Sequence, residues 1–179
     1  MVRHGKAFLA LGGVGVSVSP ATEAEGPALR RLMQLYCYDF SDFSKMKMND
    51  DGTFGNPEFI EEQFGAEHAS YTLRCRGAMV GFAIVSPRNF LTGKSGVTDM
   101  AQFFVMRGYR REGVGRTAAT ILFDRHPGPW EVRVIEENLP AEAFWRSVIE
   151  RYTSGAFKVS EIDVPSDAGT LFSFTSRGE

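Results

Sequence analysis

Leu29, Leu32, Met33, Tyr36 and Phe40 recur at intervals of three and four, which places them on one side of a helix. Pro20-Ala21-Thr22-Glu23 ahead of it ends an apolar stretch and supplies a helix start, with Thr22 suited to the N-cap and acidic residues in the first turn. Val14 to Val18 alternates before that, as a first strand would. Ser44 to Asn56 reads as a loop, punctuated by Asn49-Asp50-Asp51-Gly52 and Gly55-Asn56, and Pro57 begins a short second helix ending near Phe64. Tyr71, Leu73 and Cys75 then alternate with Thr72, Arg74 and Arg76, a strand with one wet face. Arg76-Gly77 turns into Met79 to Val85, almost wholly apolar and therefore a central strand.

Pro87 to Gly96 predicts a loop, and Val97 to Met106 a further strand. Val114, Ala118, Ile121 and Leu122 make a helix face that His126-Pro127-Gly128-Pro129 stops. Trp130 to Ile135 alternates as a strand, and Phe144, Val148, Ile149 and Tyr152 line one more helix. Phe157 to Ile162 and Thr170 to Thr175 finish the chain as strands around a turn at Pro165 to Gly169. The order β-α-α-β-β-β-α-β-α-β-β predicts a single α/β (α+β) domain. Its sheet should be mixed, mostly antiparallel, of about six to seven strands, with helices on both faces.

The 179-residue length fits one domain with a substantial core. Hydrophobic content of 43% and charged content of 23% are those of an ordinary globular protein. A net charge of −2 leaves no basic surplus to neutralise phosphates, which argues against a nucleic-acid partner. Cys37 and Cys75 sit in unrelated apolar contexts, so buried free thiols in a reducing, cytoplasmic setting are expected rather than a disulfide. Arg3, His4 and Lys6 precede the apolar stretch Ala7 to Val18, and Ala21-Thr22-Glu23-Ala24 has the small residues of a cleavage site. Gly12, Gly13 and Gly15 interrupt that stretch, however, and it is too short to span a bilayer. A flexible extension over residues 1–12 and a folded domain over residues 13–179 are expected, with no membrane partner and no metal site.

Val105 to Thr117 carries the chemistry: Val-Met-Arg-Gly-Tyr-Arg-Arg-Glu-Gly-Val-Gly-Arg-Thr. A glycine-punctuated loop that closes a strand and opens a helix turns several backbone N–H groups toward one point, which suits an anion. Arg110, Arg111 and Arg116 add positive charge there, and the simplest ligand that fits is a pyrophosphate. A dinucleotide fingerprint fails because residue 118 is Ala and the loop does not open the domain. A P-loop built on Gly93-Lys94-Ser95 fails because its upstream glycine would be Arg88.

Arg110-x-x-Gly113-x-Gly115 resembles the pyrophosphate loop of the GNAT superfamily of N-acetyltransferases, Arg/Gln-x-x-Gly-x-Gly/Ala. A second segment agrees. The strand ending at Ile135 is followed by Asn138, and Phe144-Trp145 stands where the family has an aromatic pair in the next helix. The resemblance covers about Ser70 to Phe174 and implies a GNAT-like domain that uses acetyl-CoA to acetylate a primary amine. It places the pantetheine arm beside Phe103, Phe104 and Val105. The pyrophosphate falls on the loop from Arg110 and Arg111 through Gly113, Val114 and Gly115 to Arg116 and Thr117, with Asn138, Phe144 and Trp145 beside the cofactor.

A free alkyl amine is mostly protonated at pH 7, so transfer to it needs a base. Asp99 and Glu137, on the two strands where the family commonly keeps a carboxylate, are the candidates, with Glu136 beside the second. Trp145 departs from the family, which often has a Tyr there to protonate the leaving thiolate. An indole is no practical acid, and Tyr152, two helical turns on, is the expected substitute. Tyr36, Asp39 and Phe40, with Tyr38, Asp42 and Phe43 around them, form an aromatic and acidic cluster in the region that borders the family's acceptor site, and Gln102 faces the same region. Such a cluster suits a small or cationic acceptor, small molecule or peptide. A catalytically weak acyl-CoA-binding regulatory module, and a transferase of longer acyl chains, are the alternatives. A homodimer through sheet edges or terminal strands is compatible with the sequence.

Overall fold

The computed structural model describes residues 15–89, 93–164 and 168–178. The extension expected over residues 1–12, and Val14 of the expected first strand, lie outside the described residues. Element order follows the sequence pattern throughout: β1 (Val16–Pro20), α1 (Gly26–Ser44), α2 (Pro57–Gln63), β2 (Ala69–Cys75), β3 (Ala78–Arg88), β4 (Ser95–Val105), α3 (Val114–Arg125), β5 (Gly128–Ile135), α4 (Leu139–Thr153), β6 (Phe157–Ile162) and β7 (Gly169–Ser176). Short 3-10 turns precede α1 and follow β4.

The strands form one seven-stranded sheet in the order β1-β2-β3-β4-β5-β7-β6. Every pairing is antiparallel except that of β4 with β5. That parallel pairing is brief, limited to Thr98 with Trp130 and Asp99 with Glu131. Immediately afterwards Ala101 is an extra residue in β4, because Ile84 pairs with Gln102 while the next residue, Val85, pairs with Met100. A bulge bends its strand and increases the local twist. Beyond Asp99 the strand therefore stays with β3, while β5 stays with β7 along its whole length. The sheet opens into a wedge between them.

Each face of the sheet is buried by helices. Val132, Trp130, Phe172 and Phe174 pack with Val114, Leu122, Phe123 and Trp145 of α3 and α4. On the other face Phe82, Ile84 and Phe104 pack with Leu29, Met33 and Ile60 of α1 and α2. The mostly apolar β3 is buried from Val80 to Ser86, as a central strand between two helical layers must be. Cys37 and Cys75 are buried and free, one in each core. Among the described residues no helix is long and apolar enough to cross a membrane.

The start of the first helical segment is pinned by Glu25. Its carboxylate accepts from the Thr22 backbone N–H (2.9 Å), from Arg74 Nη2 (2.9 Å) and from Thr72 Oγ1 (3.2 Å), joining the turn to β2. The Thr22 amide, then Arg74, hold its pKa down at about 2 against a usual 4.5. A depressed folded-state pKa adds stability that is complete above the unfolded value and disappears as pH falls through the folded one. Glu25→Gln is expected to cost about 1–2 kcal/mol at pH 7, discounted for partial exposure. Urea melts of both proteins should converge between pH 4.5 and 2; a difference that stays constant across that range refutes the assignment.

Candidate active site

The wedge is the organising feature of the site. A cavity of about 620 Å³ lies between the end of β4, the loop before α3 and the start of α4. A second, of about 500 Å³, lies between α1, β4 and the end of β5. They share part of their lining, including Tyr36, Phe40, Phe103, Asn138 and Trp145. Two compartments thus meet where the strands part.

In the first cavity, the loop from Arg107 carries Arg111 at φ 65° and Gly113 at φ 84° into α3. The left-handed conformation at 113 is one that glycine adopts without strain. The first bond of α3 runs from the Thr117 N–H to the Gly113 carbonyl (3.0 Å), so the N–H groups of Val114, Gly115 and Arg116 have no partner within the helix. Gly115 sits where space is short. A Cβ there would come within 3.2 Å of the Phe144 ring, which stacks on Phe103 at 6.0 Å between centroids. Together these features form an anion cradle at the mouth of an apolar channel.

The arginines of this loop divide. Arg111 and Arg116 line the cavity and have no carboxylate partner among the described residues, which leaves them for an anionic ligand. Arg110 is committed elsewhere: its Nε donates to the Val105 carbonyl (2.7 Å), its Nη2 donates to Asp39 (2.5 Å), and its guanidinium lies over the Phe104 ring at 5.7 Å. Arg107 Nε donates to the other Asp39 oxygen (2.8 Å). Arg110, expected at the phosphate, and Asp39, expected at the acceptor, are thus bonded to each other at the wall of the first cavity and tie α1 to the loop. The Thr117 amide closes the first helical turn. Val114 is fully buried and has only its backbone to offer the cradle.

Asn138 caps α4, its side chain accepting from the Ala141 N–H (3.1 Å), and so fixes where that helix begins beside both cavities. Trp145 is buried against Phe103 and Phe144, each at 5.0 Å. The second cavity brings Glu137 and Gln102 together with Tyr36 and Phe40. Gln102 donates to Gln63 of α2 (3.2 Å), which orients its amide. The rest of the lining mixes aromatic and aliphatic side chains with polar ones, Lys45 and Arg133 being its cations.

Two expected catalytic groups are not brought to either cavity. Asp99 is buried at the closed end of the wedge, paired across to Ser86 and Glu131. Tyr152 belongs to the core behind α4. Its hydroxyl donates to Asp124 (2.6 Å) and lies 2.7 Å from Ser176 Oγ, and burial, then Asp124, push its pKa up to about 12. A phenol whose proton is already held by a carboxylate is no acid for a distant thiolate. Arg107 and Arg133 were not foreseen. Strand alternation places Arg133 on the polar side of β5, but nothing in the sequence signals that this side faces a cavity.

The split sheet, the cradle and the shared wall set an anion site beside a second compartment. A sequence model of the Acetyltransferase (GNAT) family matches residues 29–148, and the chain belongs to that family. Acetyl-CoA-dependent acyl transfer is the family's reaction. No curated protein matches the sequence significantly. Among solved structures, a GNAT acetyltransferase from Elizabethkingia anophelis with acetyl-CoA bound is 10% identical (TM-score 0.57, 89% of this chain and 97% of that one). An aminoglycoside acetyltransferase in complex with coenzyme A is 14% identical (TM-score 0.62, 89% and 94%). A ribosomal-protein alanine N-acetyltransferase from Escherichia coli is 14% identical (TM-score 0.55, 92% and 96%). At these identities the likeness is one of fold.

Asp39→Asn should loosen the loop without disturbing the core. Amide hydrogen exchange over residues 107–113 is expected to rise about fivefold, in keeping with roughly 1 kcal/mol for a largely exposed ion-pair cluster. Unchanged exchange there shows that Asp39 does not hold the loop.

Proposed function

We propose that the chain is an N-acetyltransferase that passes an acetyl group directly from acetyl-CoA to a primary amine, with the two substrates in the two cavities. The observation that carries this reading is the junction of an anion cradle and a second compartment at the divergence of β4 from β5. The diphosphate rests on the N–H groups of Gly113, Val114, Gly115 and Arg116, with Arg111 and Arg116 supplying charge-assisted bonds. The pantetheine arm follows β4 beside Phe103, Phe104 and Val105, where the wedge leaves room between the strands. Phe144 and Trp145 wall its inner end.

The acceptor enters the second cavity. Glu137, at the end of β5, takes the amine proton, directly or through a water, because an alkylammonium with a pKa of about 10.4 has no lone pair to attack with. Nitrogen attacks the thioester carbonyl, the C–N bond forms, and the C–S bond breaks. Gln102 orients the acceptor rather than accepting a proton, since an amide is not basic near neutral pH. Lys45 and Arg133 in the lining of this compartment, and the pairing of Asp39 with two arginines, disfavour a polycation as the acceptor.

Thiol release from acetyl-CoA over a panel of amines, with mass spectrometry of the product, tests the reaction. Turnover of no amine sinks it. Gly113→Val puts a β-branched side chain at φ 84° beside the cradle, and calorimetry should find acetyl-CoA affinity at least tenfold weaker. Glu137→Gln should lower kcat about 100-fold at pH 7, and less as rising pH deprotonates the amine unaided. An equal loss at every pH argues against a proton-accepting role.

A further inference from the structure

The departing thiolate needs a hydrogen-bond donor or acid, and the two aromatic residues of α4 considered for it do not provide one. Trp145 presents an indole, which can donate a hydrogen bond but cannot usefully give up a proton, and Tyr152 is held by Asp124 outside both cavities. Of the chain's five tyrosines, only Tyr36 lines these cavities, and it lines both of them. It comes from α1, on the opposite side of the sheet from α4.

Packing fixes its ring. Phe40, Phe82 and Phe104 surround it at 5.6, 6.1 and 6.0 Å between centroids. Its hydroxyl makes no hydrogen bond to the protein among the described residues, in contrast to the hydroxyls of Tyr71 and Tyr152. A ring packed by three aromatics, on a residue that lines both compartments and whose hydroxyl is uncommitted among the described residues, is a preorganised donor.

We infer that Tyr36 is the catalytic acid of this acetyltransferase, its phenol giving a proton to the coenzyme A sulfur as the C–S bond breaks. This rests on the acyl-transfer reading above. The balance is simple: the electron pair of the C–S bond goes to sulfur, sulfur takes the Tyr36 proton, and the phenolate is reprotonated by the proton removed from the amine nitrogen. Burial raises the phenol's pKa, so the group stays protonated until the anion forms. The same low-dielectric setting makes an unprotonated sulfur anion costly and strengthens a hydrogen bond to it.

The experiment compares wild type, Tyr36→Phe and a chain with trifluorotyrosine at position 36, using acetyl-CoA and an amine that wild type acetylates. Tyr36→Phe keeps the ring packing, so calorimetric binding of acetyl-CoA and its KM should not change while kcat falls about 100-fold. The fluorinated phenol is more acidic, and its alkaline loss of kcat should set in at a lower pH than in wild type. Full turnover by Tyr36→Phe overturns the assignment. So does a lost turnover in Tyr36→Phe with an unmoved alkaline limb in the fluorinated chain, which marks a packing role. Wild type that releases no thiol with any amine overturns the acyl-transfer reading itself, and the assignment with it.

Discussion

The site depends on a parallel strand pairing that stops after two residue pairs. Holding β4 against β5 to the end would satisfy more backbone groups and close the sheet, and the bulge at Ala101 prevents it. Open strand edges inside a protein are unstable unless something occupies them, because unpaired N–H and C=O groups lose water without gaining a partner. Here the edges border cavities rather than core. The separation is maintained from outside: β5 is tied to β7 over its full length, β4 is tied to β3, and helices cover both faces.

Around that opening, the charged groups sort by partner rather than by position in the sequence. Arg107 and Arg110 spend their charge on Asp39, while Arg111 and Arg116 keep theirs at the cradle. The motif's first arginine thus helps to build the site: it joins α1, which walls both cavities, to the loop that opens α3.

Much of this architecture was legible in the sequence because the signals were local. Apolar spacing predicted most of the strands and α-helices, an unbroken apolar run predicted β3, and Thr22 and Pro57 marked helix starts by their own chemistry. The cradle was legible for the same reason, since adjacent residues in a loop necessarily share one place. Groups that must meet across the fold were not. Asp39 and Arg110 are bonded across a separation of 71 positions, which no spacing rule anticipates. Asp99 looked equivalent to Glu137 as a strand carboxylate, but the wedge opens only beyond it, and where a parallel pairing ends is set by tertiary packing. Tyr152 lay on the expected helix, and a carboxylate contributed by another helix decided its role.

Gly115 and Phe144 show how such a site constrains sequence drift. The missing Cβ at 115 is what allows the ring at 144 to stack on Phe103, and the ring in turn tethers the first turn of α3 to α4. A side chain added at 115 would therefore be felt at 144, in a different helix, and through that ring at the wall of the channel.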